Sequence, residues 1–169
     1  MSEHLVKEYK SIQSIKTGDK GVRELAKDCV CLANAQGGDI YIGFENRTQE
    51  PPPHQEITYS EINNTVKKLR SMAFSVSLLH SDILRHENGG QYFIITVEPS
   101  LKSTATTSDG KIYIRVGEEC LPARSEDIHR IAVEKHAFQW ELVTHQSITL
   151  RDVNQDEVKD FVSDIRKVG

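Results

Sequence analysis

The alternation of apolar and polar positions is clearest between Val22 and Glu45. Val22, Leu25, Ala26, Cys29, Val30 and Ala33 recur at helical spacing and form an apolar stripe on one face. Gly37-Gly38 stops that pattern, because glycine takes the left-handed C-terminal cap without a Cβ penalty. Asp39 to Glu45 then alternates, which predicts a strand with Ile40, Ile42 and Phe44 on one side. Helix and strand each have one apolar face, so each needs the other to bury it. The rest of the chain is predicted to pack around this unit.

Ahead of it, Val6 to Lys10 reads as a short strand and Ser14 to Lys20 as a polar loop. Behind it, Arg47 to Thr58 holds Pro51-Pro52-Pro53 and reads as a stiff surface connection. Thr58 and Glu61 fit a capping box, predicting a helix over 59–72 with Ile62, Val66, Leu69 and Ala73 inward. Phe74, Val76 and Leu78 alternate as one half-buried strand, continued after a break over 82–87. Asn88-Gly89-Gly90 is a hairpin signal, and Tyr92 to Glu98 is the returning strand, with Phe93, Ile95 and Val97 on one face. After a Ser/Thr-rich loop over 99–108, Asp109-Gly110 leads into a strand over 111–116 that Gly117 ends. Ser125 is expected to cap a third helix with Ile128, Ile131 and Ala132 inward. The order β-α-β-α-β-β-β-α predicts an α+β fold: a mixed, mostly antiparallel sheet with helices packed on it.

Residues 1–138 are expected to form one domain. Residues 139–169 read as a linking segment, a strand-like run over 142–150 and an amphipathic helix carrying Val158, Phe161, Val162 and Ile165. That last stripe needs a partner surface and meets no closing signal at Gly169, so a further domain is expected to follow.

Charge narrows the function classes. The chain carries 21 Lys/Arg and 25 Asp/Glu, net −4, so it is not a basic protein. Any nucleic-acid contact must come from a local patch, or from an acidic site working through metal. Cys29 and Cys31 are two apart on a helix and point different ways, and Cys120 stands apart, so three reduced thiols are expected. No apolar run suggests a leader or a membrane span, and a soluble, cytoplasmic protein is expected. The seven histidines show no ligand spacing, no phosphate-cradling glycine loop is present, and no serine or cysteine nucleophile has a visible base partner.

Several pieces in order resemble the Schlafen-type AlbA-like domain of bacterial regulators and animal Schlafen proteins. The family's opening glutamate and Glu-Phe-Lys look like Glu3 and Glu8-Tyr9-Lys10. Its Ala-Asn-x-x-Gly-Gly followed by Ile-Gly-Val looks like Ala33-Asn34-Ala35-Gln36-Gly37-Gly38 and Ile42-Gly43-Phe44. Its late Tyr-x-Arg-x-Gly looks like Tyr113-Ile114-Arg115-Val116-Gly117. The resemblance covers about residues 3–135.

What it implies is nucleic-acid interaction, with DNA in bacterial regulators or RNA in Schlafen proteins. Some Schlafen proteins are metal-dependent endoribonucleases with three acids at the site. Carried over, those acids are Glu3, Glu8 and Glu45, as a weak Mg²⁺ or Mn²⁺ site; where the family often has an acidic pair, this chain reads Glu45-Asn46. Glu3 and Glu8 are five apart and converge only if the chain bends between them. Lys10, Lys111, Arg115 and Arg124 are the expected phosphate contacts, and Lys67, Lys68 and Arg70 form a second basic run on a helix. Ion pairs with Glu8 or Glu45 are the plain alternative for Lys10 and Arg115. Three function classes stand: a nucleic-acid-binding domain, a metal-dependent endoribonuclease, and an interaction module without nucleic acid. Animal Schlafen cores pair two related lobes and this chain has one, which implies a homodimer, or assembly through a further C-terminal domain.

Overall fold

The computed structural model describes the backbone of residues 6–45 and 48–142 and the side chains of residues 6–45 and 48–135. The chain divides into two compact units, Met1–Phe138 and Gln139–Gly169, and the fold below is that of the first. Strand β1 (Val6–Lys10) leads through a one-turn helix α1 (Gln13–Lys16) into α2 (Asp19–Asn34) and then β2 (Gly38–Ile42). The expected polar loop over 14–20 therefore holds a short helix. The Ser14 and Ile15 amides already find carbonyl partners at Ser11 and Ile12. β1 and β2 pair in parallel, from Val6 with Gly38 to Lys10 with Ile42, as a strand–helix–strand crossover allows.

After the proline connection come α3 (Tyr59–Met72), β3 (Ala73–Phe74), β4 (Ser77–His80), β5 (Leu84–Arg85) and β6 (Gln91–Glu98). The capping box at Thr58 and Glu61 forms as expected: each side chain accepts from the other's backbone N–H. The single strand expected across Phe74, Val76 and Leu78 is two. Ser75 takes φ +58 between them, so β3 leaves to pair with β7 (Thr106–Thr107) while β4 joins β6. The main sheet has the order β1-β2-β6-β4, with β5 also on β6, and only β1–β2 is parallel. This is the mixed, mostly antiparallel α+β fold the pattern predicts.

The last elements are β8 (Tyr113–Val116), β9 (Glu119–Pro122) and α4 (Ser125–Leu142). Gly117 ends β8 as expected, and its φ of +63 turns the chain so that β9 folds back on β8. Ser125 lies inside the first turn of α4; the capping bond is the Arg124 N–H to the Asp127 carboxylate, 3.0 Å. Ile131 is buried on this helix but Ile128 is 40 % exposed. α4 runs through Gln139 to Leu142, across the point where a linking segment was expected to begin. Residues 143–169, with the run to Leu150 and the last apolar stripe, lie outside the described residues.

The core is α2 against the inner face of the sheet. Ile40, Ile42, Phe93, Ile95 and Val97 are buried, and so is every residue from Cys29 to Ala33. The apolar stripe predicts one buried face, yet the end of α2 is buried all round, because α3 and β8–β9 also pack on this helix. That explains the cysteines. Cys31 and Cys120 form a disulfide, with Cα atoms 5.9 Å apart, and Cys29 is buried and free. The expectation of three reduced thiols is thus corrected: the turn at Gly117 carries Cys120 back onto α2. Closing a separation of 89 residues is worth about 4.6 kcal/mol in the chain-entropy account. Denatured without reductant, the chain is expected to show one reactive thiol by alkylation and mass spectrometry, and three after reduction. Three before reduction would remove the bond.

Candidate nucleic-acid interface

β1 lies at one edge of the main sheet, and strand alternation gives it two faces. Glu8 and Lys10 share the inner face with Ile40 and Ile42, their partners in register. Lys7 and Tyr9 point to the outer face. On the inner face Lys10 Nζ lies 2.8 Å from Asp28 Oδ2 of α2 and 3.2 Å from Glu8 Oε1. Arg115 of β8 lies 3.6 Å from Glu8 Oε2. Four groups from three elements thus form one charged cluster, all of them at most half exposed. Burial opposes charge on Lys10, but the Asp28 and Glu8 carboxylates outweigh it and hold the ammonium above the ordinary lysine value. Burial dominates at Asp28 and pushes its carboxyl up against the pull of Lys10. The two shifts oppose. With the ammonium at 2.8 Å, the geometry keeps the pair charged at neutral pH.

Asn34 positions the cluster. It ends α2, and its Nδ2 donates to the carbonyls of Ala105 (2.9 Å) and Tyr113 (3.0 Å). Its Oδ1 accepts from the Ala105 N–H (2.8 Å) and from Lys135 Nζ (3.2 Å). One amide therefore ties the end of α2 to the start of β8, two residues from Arg115. The adjacent glycines divide the turn between them. Gly37 takes φ +78 with its N–H on the Leu32 carbonyl, while Gly38 begins β2 so close to Val6 that a Cβ would sit 2.6 Å from its carbonyl.

The other expected residues are placed as follows. Glu3 and Asn46 lie outside the described residues. Glu45 follows the hook in which the Gly43 and Phe44 N–H groups donate to the Lys10 carbonyl, and its own N–H bonds the Glu50 carbonyl. No described contact joins it to Glu8. Among the described residues no group of three His, Cys, Asp or Glu side chains is arranged to hold a metal ion. Both Glu8 oxygens face cations, and Lys10 takes the place between Glu8 and Asp28 that a metal would need. The described donors, as arranged, do not fit a divalent ion.

Lys111 pairs with Asp109 at 3.0 Å, and the Thr107 hydroxyl and this ammonium together hold the Asp109 carboxyl down to about 2. Arg124 is exposed at the start of α4. Lys68 pairs with Asp19 at 2.7 Å, and Lys67 lines a shallow hollow along α3 with Glu61 and Ser71. No described contact joins these groups to the Glu8 cluster.

Asp28 is the residue that sequence reasoning missed. Its only signal is a charge directly beside Cys29 on an apolar helix, which reads equally well as the solvent face. The aromatic contacts were missed too. Phe44 was expected beside Ile40 and Ile42, but Gly43 takes φ +120 and swings it to the outer face. There its ring meets those of Tyr9 (5.1 Å), Tyr41 (5.9 Å) and Tyr92 (5.0 Å).

No helix among the described residues is long and apolar enough to cross a membrane. No curated protein matches this sequence. The fold is similar to the crystal structure of the DIP2311 protein from Corynebacterium diphtheriae, with a TM-score of 0.53 and 17% identity over 73% of this chain and 26% of that one. This chain thus spans about a quarter of that protein, and the likeness is one of fold. The family model described as Schlafen, AlbA_2 matches residues 3–124, a span that takes in β1, the Asn34 clamp and Arg115. The chain belongs to the Schlafen AlbA_2 family.

Proposed function

We propose that this chain is a nucleic-acid-binding domain whose phosphate contacts are Arg115 and Lys10, balanced by Glu8 and Asp28. The observation that carries the reading is the meeting of three motifs distant in sequence: Glu8-Tyr9-Lys10, the Asn34 turn and Arg115. A fold needs no charge there, since hydrophobic groups of similar shape are often as stable as a partly buried ion cluster. A phosphate brings the negative charge that replaces Glu8 on Arg115, so the cluster is a covered anion site. In a bacterial setting this is the chemistry of a regulator acting on DNA or RNA.

Metal-dependent RNA cleavage is the second reading, favoured by the convergence of Glu8 and Asp28 on one cation, Lys10 Nζ. It requires Lys10 to yield its place and Glu3 to join.

Glu8→Ala separates the two readings by sign. In the binding reading it frees Arg115 and leaves Lys10 held by Asp28 alone, and affinity for a labelled tRNA pool rises about threefold in anisotropy titrations. Arg115→Ala lowers affinity and makes the salt slope shallower by about 0.7 to 0.9. In the nuclease reading Mn²⁺-dependent cutting by the wild type, stopped by chelator, is lost in Glu8→Ala. Wild type that neither shifts nor cuts nucleic acid would remove both and leave an interaction module.

A further inference from the structure

The outer face of the main sheet carries a row of rings. Tyr9 of β1 and Tyr41 of β2 are paired in register, with ring centroids 5.1 Å apart and planes within 32°. Tyr41 and Tyr92 of β6 are 6.4 Å apart and within 24°. Phe44 fills the space beside them, edge-on to Tyr41 and Tyr92. Tyr9 is 40 % exposed and Tyr41 and Tyr92 are partly exposed, so the ring faces are not sealed in a core. Lys7 stands over Tyr41, its ammonium 5.9 Å from the ring centroid. Among the described residues no carboxylate lies within ion-pair distance of Lys7. Its register neighbour Asp39 instead accepts a bond from the Thr96 hydroxyl. Alternation along β1 puts this row on the opposite side of the sheet from Glu8 and Lys10.

We propose that this face is a stacking platform for the bases of an unpaired nucleic-acid strand, an inference that rests on the nucleic-acid reading above and narrows its ligand. Partly exposed tyrosine rings on three adjacent strands, inclined by 24–32° to their neighbours, match two or three splayed bases, a general solution for single strands on open sheets. Duplex bases are stacked on one another and offer these rings no face. Charge complementarity fixes the occupant further: Lys7, without a carboxylate partner among the described residues and standing over the middle ring, suits the sugar-phosphate chain that must run past the bases.

The test is an anisotropy titration of the full chain with labelled oligouridine dodecamer and with a hairpin RNA duplex of matched length. Tyr9→Ala and Tyr9→Leu are expected to bind the dodecamer about tenfold more weakly. Tyr9→Phe, which keeps the ring, is expected to stay within about twofold, and hairpin binding to be unchanged in all three. Tyr9→Leu retains apolar bulk on the edge strand, and its thermal melt checks that the fold survives. Dodecamer binding equal in wild type and both variants, while Arg115→Ala still weakens it, overturns the platform and leaves the nucleic-acid reading standing. So does a wild type that binds the hairpin and not the dodecamer. Binding of neither removes both. Unchanged oligonucleotide binding together with a fall in molar mass by light scattering in Tyr9→Ala would assign the face to a second copy of the chain instead.

Discussion

Asn34→Ala is expected to lower stability by about 3 kcal/mol and the melting temperature by about 10 °C, the largest loss from any single polar side chain described above. The amide makes four hydrogen bonds, and its removal leaves the Ala105 N–H and the Ala105 and Tyr113 carbonyls without their partner. Each unsatisfied buried group costs about 1–3 kcal/mol, and the losses overlap because one side chain serves all of them. Lys135 loses one acceptor but keeps the Ser103 carbonyl at 2.6 Å. Because Tyr113 begins β8, the same change loosens Arg115 against Glu8. Urea unfolding should show the lost stability, and nucleic-acid affinity should fall with it. A variant as stable as wild type would mean that water replaces the amide and that the clamp is dispensable.

Gly37→Ala is expected to cost about 3 kcal/mol as well, by a different route. The residue has φ +78, where an L side chain costs about 1–2 kcal/mol. An added Cβ would also sit 2.5 Å from the Val97 carbonyl of β6 and 3.0 Å from Pro99 Cδ, so backbone must move. Gly110→Ala separates the two contributions. Its φ is +76 but nothing lies within 4 Å of the added Cβ, so only the backbone penalty of about 1 kcal/mol is expected. Equal melting temperatures for the two variants would mean that Val97 accommodates the methyl without loss.

These two positions also show what the chain makes legible. Gly37 announces its turn, because a helical stripe followed by two glycines has few other readings. The capping box at Thr58 and the hairpin at Asn88-Gly89 are equally local and were equally readable. Asn34 is not. A side chain that bonds residues 71 and 79 positions away leaves no local pattern, and only the family resemblance marked it. The disulfide failed for the same reason, since Cys120 reaches Cys31 only after the Gly117 turn. At the candidate site, Lys10 and Arg115 could be named from motifs, as could their pairing with Glu8, but the Lys10–Asp28 contact depends on the crossover that brings α2 over β1. Asp28 was invisible because whether a helical carboxylate is buried depends on what packs over it. Ser75 misled because φ +58 in a serine has no sequence signature.

The position of β1 has a consequence for how the surfaces operate. Among the described residues it is an edge strand with a single hydrogen-bonded neighbour, and it supplies Glu8 and Lys10 to one side of the sheet and Lys7 and Tyr9 to the other. Edge strands open locally at lower free energy than the strands between two neighbours. When β1 detaches from β2, the charged cluster loses Glu8 and Lys10 and the ring row loses Tyr9 and Lys7 in the same event, while α2, β2 and β6 keep their core. The two faces are therefore thermodynamically linked: a ligand that holds either one in place raises the population in which the other is intact.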